Sequence, residues 1–233
     1  MIRLTDVTKQ YPTGAGPRTI LRNINLHIEP GQRVGILGRN GAGKSTLVLV
    51  IGGVEAPTSG TVERTMSVSW PLAFTGGFHS RLTGIDNLRF ISRIYNVDFH
   101  DRLEFVKEFT ELGPYLYEPV GVYSSGMRAR LAFAISMTID FDCYLIDEVM
   151  AVGDDTFRER CRVELFEKRR EKTMLIVSHS HRYLKGTCDR FLVFRDGTIA
   201  EYDDFDEAYF IYKQILGEAF ESREAMVRAM EEN

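Results

Sequence analysis

The sequence predicts an α/β fold in which a parallel sheet follows an antiparallel β subdomain and is interrupted by a helical insertion. Two β-like runs at residues 2–8 and 20–28 flank the turn-rich segment 11–17, which indicates antiparallel pairing. An apolar strand at 33–37 then leads into a glycine loop and a helix, the order that opens a parallel α/β sheet. Helical periodicity without a convincing strand extends over 83–138 and predicts the insertion.

The parallel sheet resumes after the insertion. Apolar runs at 143–147 and 173–178 are predicted strands, and the charged helical stretch between them is long enough for a crossover. Asp196 and Gly197 lie between two further β runs, and this dipeptide is a strong signal for a hairpin. We find no internal repeat or low-complexity linker.

Composition restricts the classes of protein. The chain has 233 residues and a formal net charge of -4, so it carries no overall basic field for nucleic acid. Its longest apolar stretches, 47–54 and 131–139, are shorter than the roughly 20 residues of a membrane-spanning helix. Charged side chains interrupt the N-terminal apolar residues before a signal peptide could form, so we expect a cytoplasmic protein; they are Arg3, Asp6 and Lys9.

The three cysteines do not indicate a metal site or a disulfide framework. Their number is odd and none is spaced as CxxC, so buried or idle thiols are expected. They are Cys143, Cys161 and Cys188.

A phosphate-binding loop is predicted where residues 38–45 read GRNGAGKS, matching GxxxxGK[ST] between a strand and a helix. Glycines let the backbone curl so that its N–H groups point at phosphate oxygens. Lys44 would reach the β and γ phosphates, and the Ser45 hydroxyl would bind Mg²⁺. The predicted nucleotide contacts of this loop are Gly38, Arg39, Asn40, Gly41, Ala42, Gly43, Lys44, Ser45 and Thr46.

Two carboxylates end the apolar run 141–148. Strand ends are where α/β sheets present catalytic groups. Asp147 would hold Mg²⁺, and Glu148 would position the attacking water. His179 follows the next predicted strand and could reach the γ-phosphate, although His181 is near enough to compete for that role.

The segment 123–127, YSSGM, begins a predicted helix over 124–138. It resembles a degenerate form of the LSGGQ signature of ABC ATPases, although alone it would be an ordinary helix cap. The resemblance implies that these residues bind the γ-phosphate held by a second copy, in a head-to-tail homodimer. They are Ser124, Ser125, Gly126 and Met127.

The order of motifs resembles ABC ATPase subunits from about residue 2 to residue 200. This resemblance implies ATP and Mg²⁺ as cofactors, with Asp154 contacting nucleotide and Tyr11 stacked on adenine, although a tyrosine before a proline turn could equally serve in packing. It also implies a nucleotide-binding domain over 1–217, with a helical subdomain at about 83–138, followed by a helical tail at 218–233.

Two departures from the family stand out. Glutamine occurs only at positions 10, 32 and 214, so the usual Q-loop glutamine, expected within 70–84, is absent. Ser125 and Met127 replace the signature's Gly and Gln. Slow hydrolysis is a hypothesis that follows.

The runs SWP, GGFH, LTGIDN, YSSGMRARL and DEVMAVGD resemble the ATP-binding subunits of capsular polysaccharide exporters. The resemblance implies an ATPase on the cytoplasmic face of the bacterial inner membrane that drives polymer export. It implies a homodimer working with two copies of an integral membrane permease, which docks near 70–87 and makes most contacts with the polysaccharide.

Other functions stay open. The polymer could be O-antigen or teichoic acid, to whose exporters the chain has a more distant resemblance. A soluble ABC ATPase acting in DNA repair or translation is a further alternative, but acidic composition and the lack of a basic run argue against a nucleic-acid partner. A binding module with a decayed site is opposed by Lys44, Asp147, Glu148 and His179.

Overall fold

Three strands open the chain, and helices and further strands follow them, in a computed structural model that describes residues 1–72, 78–147, 154–178, 180–218, 220 and 222–231. In these ranges the strands are β1 (Ile2–Thr13), β2 (Gly16–Ile28), β3 (Arg33–Leu37), β4 (Ser59–Arg64), β5 (Val68–Pro71), β6 (Cys143–Asp147), β7 (Thr173–Val177), β8 (Arg190–Arg195) and β9 (Thr198–Tyr202). The α-helices are α1 (Lys44–Ile51), α2 (Gly84–Ile94), α3 (Phe99–Thr110), α4 (Ser125–Met137), α5 (Asp155–Arg162), α6 (His181–Thr187), α7 (Phe205–Ile215) and α8 (Arg223–Glu231).

The chain divides into two units. The first comprises the described parts of Met1–Pro71, Asp142–Glu148 and Lys172–Asn233 and contains both sheets. The second comprises the described parts of Leu72–Phe141 and Val149–Glu171 and contains α2 to α5.

The antiparallel sheet of the first unit has the order β2-β1-β4. The hairpin of β1 and β2 closes with Thr13 opposite Gly16, so the predicted pairing is confirmed, although both strands extend further toward the turn than predicted. Strand β4 was not predicted from the sequence. Only Val62 is partly buried among its six residues, so it has no apolar alternation to reveal it.

The second sheet of this unit has the order β5-β6-β7-β3-β8-β9. Neighbouring strands are parallel except β8 and β9, which form the predicted hairpin. At its turn Asp196 and Gly197 both have positive φ, of 50° and 82°, as a two-residue type I′ hairpin turn requires. The predicted strand at 33–37 matches β3, and the strands predicted at 143–147 and 173–178 match β6 and β7 to within one residue.

Apolar side chains of both sheets and of α1 form the core of the first unit. Leu47, Val48 and Ile51 of α1 are fully buried and belong to one cluster with Ile36 of β3 and Leu145 of β6. Burying a side chain of this kind contributes about 1.5–3 kcal/mol. The helix that follows the glycine loop is therefore fixed firmly on the sheet.

The second unit is built on an aromatic cluster. The Phe109 ring of α3 lies 5.5 Å from Phe133 of α4 and 5.4 Å from Phe157 of α5, measured between centroids. After α5 a π-helical turn, Val163–Glu167, carries the buried Glu164. Its carboxylate accepts from Arg169 and Lys168, each at 2.7 Å.

The three cysteines are free and buried, and burial raises the pKa of each thiol to about 12. None of the helices in the described ranges combines the length and the hydropathy that crossing a membrane requires.

Candidate functional site

The glycine loop connects β3 to α1 and closes around a lysine. The Lys44 side chain is 8% exposed, and its Nζ donates to the carbonyl oxygens of Gly38 at 2.7 Å and Arg39 at 3.0 Å. A charged ammonium is thereby held inside the curl of the backbone, where its positive charge faces the loop.

Glycine is required at the point where the loop enters the helix. Gly43 precedes α1 with φ of 113°, a left-handed conformation that favours glycine. A Cβ at this position would lie 3.1 Å from both Cγ2 and O of Ile20 in β2. The close approach of β2 and the positive φ therefore both disfavour a side chain here.

The loop opens on a cavity of about 710 Å³ within the first unit. This volume is in the range of small-molecule sites. Its lining residues come from β1, β2, the loop, α1 and the end of β6; they are Tyr11, Arg18, Ile20, Asn40, Gly41, Gly43, Lys44, Ser45, Thr46 and Asp147. Apart from Arg18 and Ile20, each is a predicted site residue. Arg39 and Ala42 line an adjoining groove of about 820 Å³ together with Asn40 and Gly41.

Arg18 and Ile20 were missed by the sequence reasoning. The signal was present in the hairpin, because Thr13 opposite Gly16 sets the register that places Arg18 opposite Tyr11. The register of the hairpin therefore predicts that Arg18 lies beside Tyr11, the residue expected to stack on adenine.

Tyr11 is held by two neighbours at the edge of the cavity. Its hydroxyl donates to Glu55 Oε2 at 2.5 Å, and Lys9 Nζ lies 2.9 Å from the same oxygen. Burial, followed by the bond to Glu55, raises the pKa of Tyr11. Hydrogen bonds from Tyr11 and then Lys9 lower the pKa of Glu55. Near neutral pH the phenol thus stays protonated and the carboxyl stays ionised.

Two oxygen ligands for a cation face the same cavity. Asp147 ends β6, a buried strand paired with β7, and Ser45 lies in the first turn of α1. A single carboxylate with a hydroxyl suits Mg²⁺, which binds one or two carboxylates and completes its shell with water and substrate phosphates. Within the described ranges no group of three or more acidic, histidine or cysteine side chains could hold a metal alone.

Two predicted catalytic residues lie outside the described residues, Glu148 and His179. So does the segment 73–77 of the predicted Q-loop region. His181, the alternative to His179, begins α6 and lines a different cavity with Arg182 and Lys185.

The signature residues belong to the second unit. Ser124 caps α4, its Oγ accepting from the Met127 backbone N–H at 3.2 Å. Ser124 and Ser125 are exposed, and the position of a Gly126 Cβ has only Ser124 Oγ within 4 Å. The helix start is therefore open on this side, and its free N–H groups suit an anion.

Asp154 also belongs to the second unit. It caps α5 by accepting from the Phe157 N–H at 2.8 Å, and Arg130 Nη2 lies 2.6 Å from its other oxygen. The backbone bond from Phe157 and the charge of Arg130 lower the pKa of Asp154. The structure thus joins Asp154 to α4, while the cavity of the first unit contains neither Asp154 nor the signature residues.

Comparison with known proteins decides the family. The ABC transporter family model matches residues 21–151, which contain the glycine loop, the signature and the carboxylate strand. This chain belongs to the ABC transporter family. The predicted family is confirmed, and so is its assignment as the ATP-binding subunit of an ABC transporter, an ATPase that binds ATP.

Two bacterial relatives of this ABC subunit are similar over nearly their whole length. The ATP-binding protein BexA of Haemophilus influenzae is 56% identical over 92% of this chain and 99% of its own. The capsule polysaccharide export ATP-binding protein CtrD of Neisseria meningitidis serogroup B is 56% identical over 92% of this chain and 100% of its own.

Solved structures support the ABC fold. The dimeric post-hydrolysis structure of the ATP-binding cassette MJ0796, bound to ADP and Pi, superposes with a TM-score of 0.74. It is 23% identical and covers 87% of this chain and 98% of its own. The predicted fold class, an α/β P-loop NTPase core with an antiparallel β subdomain and a helical insertion, is confirmed.

Proposed function

We propose that this chain hydrolyses ATP to drive export of a capsular polysaccharide across the bacterial inner membrane. The observation that carries the proposal is the 56% identity, over nearly the whole chain, to a protein named for capsule polysaccharide export. O-antigen and teichoic acid are the alternative polymers for export. A full-length match at this identity favours capsule.

The cavity beside the glycine loop is the proposed ATP site. Lys44 would exchange its bonds to two carbonyl oxygens for stronger, charge-assisted bonds to the β and γ phosphates. Loop N–H groups from Gly38 to Thr46 would cradle the phosphates, and the Tyr11 ring would stack on adenine.

Mg²⁺ fits the donors that face this cavity. Ser45 would offer its hydroxyl and Asp147 would hold the ion's hydration shell. When bound, the ion neutralises charge that develops on the phosphate oxygens. The protein's own part is to hold one carboxylate, at the end of β6, and one hydroxyl, in the first turn of α1, on the lining of the same cavity.

Hydrolysis is assigned to residues that follow the buried strands. Glu148 comes directly after Asp147 and would orient the attacking water, and His179 would contact the γ-phosphate. A second copy would supply Ser124 to Met127 and Asp154 to the same nucleotide. Two such sites then make a head-to-tail homodimer, a proposal supported by the open start of α4.

Transport would follow from opening and closing of this dimer. ATP joins the two copies, and its hydrolysis removes the attraction between them. Two permease subunits in the membrane would dock near residues 70–87 and convert the motion into polymer movement, making most contacts with the polysaccharide. The subunit would then lie peripherally on the cytoplasmic face, with its nucleotide-binding domain over 1–217 and its tail over 218–233.

The test replaces the loop lysine in cells that lack the native gene. We expect Lys44→Ala to abolish both ATP hydrolysis by the complex and surface display of capsule. The matched control is Lys107→Ala, because Lys107 is a half-exposed lysine of α3 whose ammonium pairs with Glu104, far from the glycine loop in the sequence. Capsule display with the Lys44 variant, or an effect on a different surface polymer, would contradict the proposal.

The soluble alternative is tested by co-purification. A transport ATPase is retained by an integral membrane protein after detergent extraction, whereas a DNA-repair or translation ATPase is not.

The hypothesis of slow hydrolysis, based on Ser125 and Met127, predicts a turnover rate below that of transporters with an intact signature.

A further inference from the structure

Two charged residues, Lys9 and Glu55, hold the Tyr11 side chain in place at the edge of the cavity. We call this pair of residues the mount of Tyr11. Lys9, in the same strand β1, lies with its Nζ 5.0 Å from the Tyr11 ring centroid and over the ring face. The same nitrogen contacts Glu55 Oε2 at 2.9 Å, and that oxygen accepts from the Tyr11 hydroxyl at 2.5 Å. Ring face and hydroxyl are thus both held.

This mount is anchored on the helix that carries the lysine of the glycine loop. The backbone N–H of Glu55 donates to the Leu49 carbonyl of α1 at 3.2 Å. Lys9 Nζ donates to the Ala56 carbonyl at 2.8 Å in the same turn. The position of the Tyr11 ring is therefore tied to α1 through side chains, in addition to the strand that bears it.

The arrangement leaves one ring face free. An ammonium over one face of an aromatic ring is attracted by its π electrons, and a planar group can then stack only on the other face. A hydroxyl bonded to a carboxylate also fixes the tip of the side chain and limits its swing about the Cα–Cβ bond, so Tyr11 loses less freedom when a ligand stacks on it.

We propose that Lys9 and Glu55 are positioning residues that hold the Tyr11 ring as a preformed platform for the base of the nucleotide. The proposal rests on the proposed ATP site and adds to it two residues that do not line the cavity. They act on base binding through Tyr11 and have no part in hydrolysis. The phosphate contacts of Lys44 are independent of them.

The test compares a ligand with a base and a ligand without one. In the complex of the full chain with its membrane partner, Glu55→Gln and Tyr11→Phe are each expected to raise KM for ATP by about threefold to tenfold, with kcat unchanged. The inhibition constant of tripolyphosphate, which has no base, is expected to be the same in both variants as in the unchanged chain. Glu63→Gln is the matched control, because Glu63 is an exposed carboxylate of β4.

A double variant separates positioning from general damage. Both changes act on the same charge-assisted hydrogen bond, which Tyr11→Phe removes and Glu55→Gln leaves with an uncharged acceptor, so the double variant should raise KM no more than Tyr11→Phe alone. Lys9→Met removes the ammonium from the ring face and its contact with Glu55, and so gives a third route to the same loss. It also serves as the probe if Glu55→Gln does not fold.

Several outcomes would overturn the inference. They are an unchanged KM for ATP in the variants, an equal weakening of tripolyphosphate, a fall in kcat alone, or additive effects in the double variant. An unchanged chain that neither binds nor hydrolyses ATP would instead refute the proposed function, so the two failures are distinguishable.

Discussion

Arg64 closes the end of the helix that follows the glycine loop, its Nε donating to the Ile51 carbonyl oxygen at 2.6 Å. A second guanidinium nitrogen donates to the Val50 carbonyl at 2.6 Å. The last carbonyls of a helix lack partners within it, and a cation there is also attracted by the negative end of the helix dipole. The Arg64 side chain of β4 thus caps the C-terminal end of α1.

Removing this arginine should loosen α1. We expect Arg64→Met to lower the free energy of unfolding by about 1 kcal/mol, since two partly buried carbonyls lose the hydrogen bonds that Arg64 donates. Urea denaturation followed by circular dichroism measures it. Arg22→Met, at an exposed position of β2, is the control and should change stability by less than about 0.5 kcal/mol. Equal effects of the two changes would contradict the capping role.

Two glycines of the loop should differ in their tolerance of alanine. Gly41 and Gly43 both have positive φ, of 77° and 113°, so each change costs about 1–2 kcal/mol in backbone strain. Only at Gly43 would the new Cβ meet Ile20, at 3.1 Å, whereas nothing lies within 4 Å at Gly41. Gly43→Ala should therefore reduce the free energy of unfolding by more than Gly41→Ala. A larger loss of stability for Gly41→Ala than for Gly43→Ala would contradict the close approach of β2 to the loop.

A mixing experiment tests the head-to-tail dimer. Lys44→Ala disables the loop, and Gly126→Arg places a bulky charged side chain at the start of α4, where a Cβ would have only Ser124 Oγ within 4 Å. Each variant alone should be inactive. In a mixed dimer one site would combine the intact loop of one copy with the intact helix start of the other, so ATP hydrolysis should partly return. No recovery on mixing would count against two-copy sites.

The carboxylate after β6 is expected to control dimer lifetime. Glu148→Gln keeps the size of the side chain but removes the charge that orients water, so ATP should bind without being hydrolysed. Size-exclusion chromatography with ATP should then show a persistent dimer, whereas Glu63→Gln should behave like the unchanged chain. Free exchange of monomers in the Glu148 variant would contradict the scheme.

The buried carboxylate of the second unit should make stability depend on pH. Burial pushes the pKa of Glu164 up, but hydrogen bonds from Arg169 and then Lys168 outweigh it, and the pKa is lowered. Its stabilising contribution is therefore present above the ordinary carboxyl pKa of about 4.3 and lost as pH falls through the lower folded value. Glu164→Gln should cost about 1–3 kcal/mol at pH 7 and little in strong acid.

Urea denaturation of both forms at several pH values measures this difference. Glu104→Gln is the control, since Glu104 is exposed and its pairing with Lys107 adds little. A difference that grows toward acid would refute the assigned sign.

Sequence and structure agree best where a local pattern has a single physical solution. The strand 33–37, the hairpin at Asp196 and the glycine loop each carry such a pattern, and each lies where predicted. Strands β4 and β5 were missed because their residues show no apolar period and their positions depend on main-chain pairing with β1 and β6. Such pairing is a property of distant segments, which no local window contains.

The residues of the site also differ in whether the sequence alone predicts them. The loop residues and Asp147 could be predicted because one motif fixes their chemistry and strand ends fix their place. The mount of Tyr11 could not, since Lys9 and Glu55 meet only after β1 lies against the turn that follows α1. The Arg130 contact to Asp154 likewise requires α4 and α5 to pack together.

The strand order has a consequence for biosynthesis. Strand β3 lies between β7 and β8, and the Gly31 N–H just before it donates to the Thr173 side chain, 142 residues away. At about 5–20 residues per second, translation takes on the order of ten seconds to supply those partners. During that interval an apolar nascent strand has both edges unpaired, while the ribosome makes the helical insertion. The growing polypeptide must therefore be shielded from aggregation until its C-terminal third emerges.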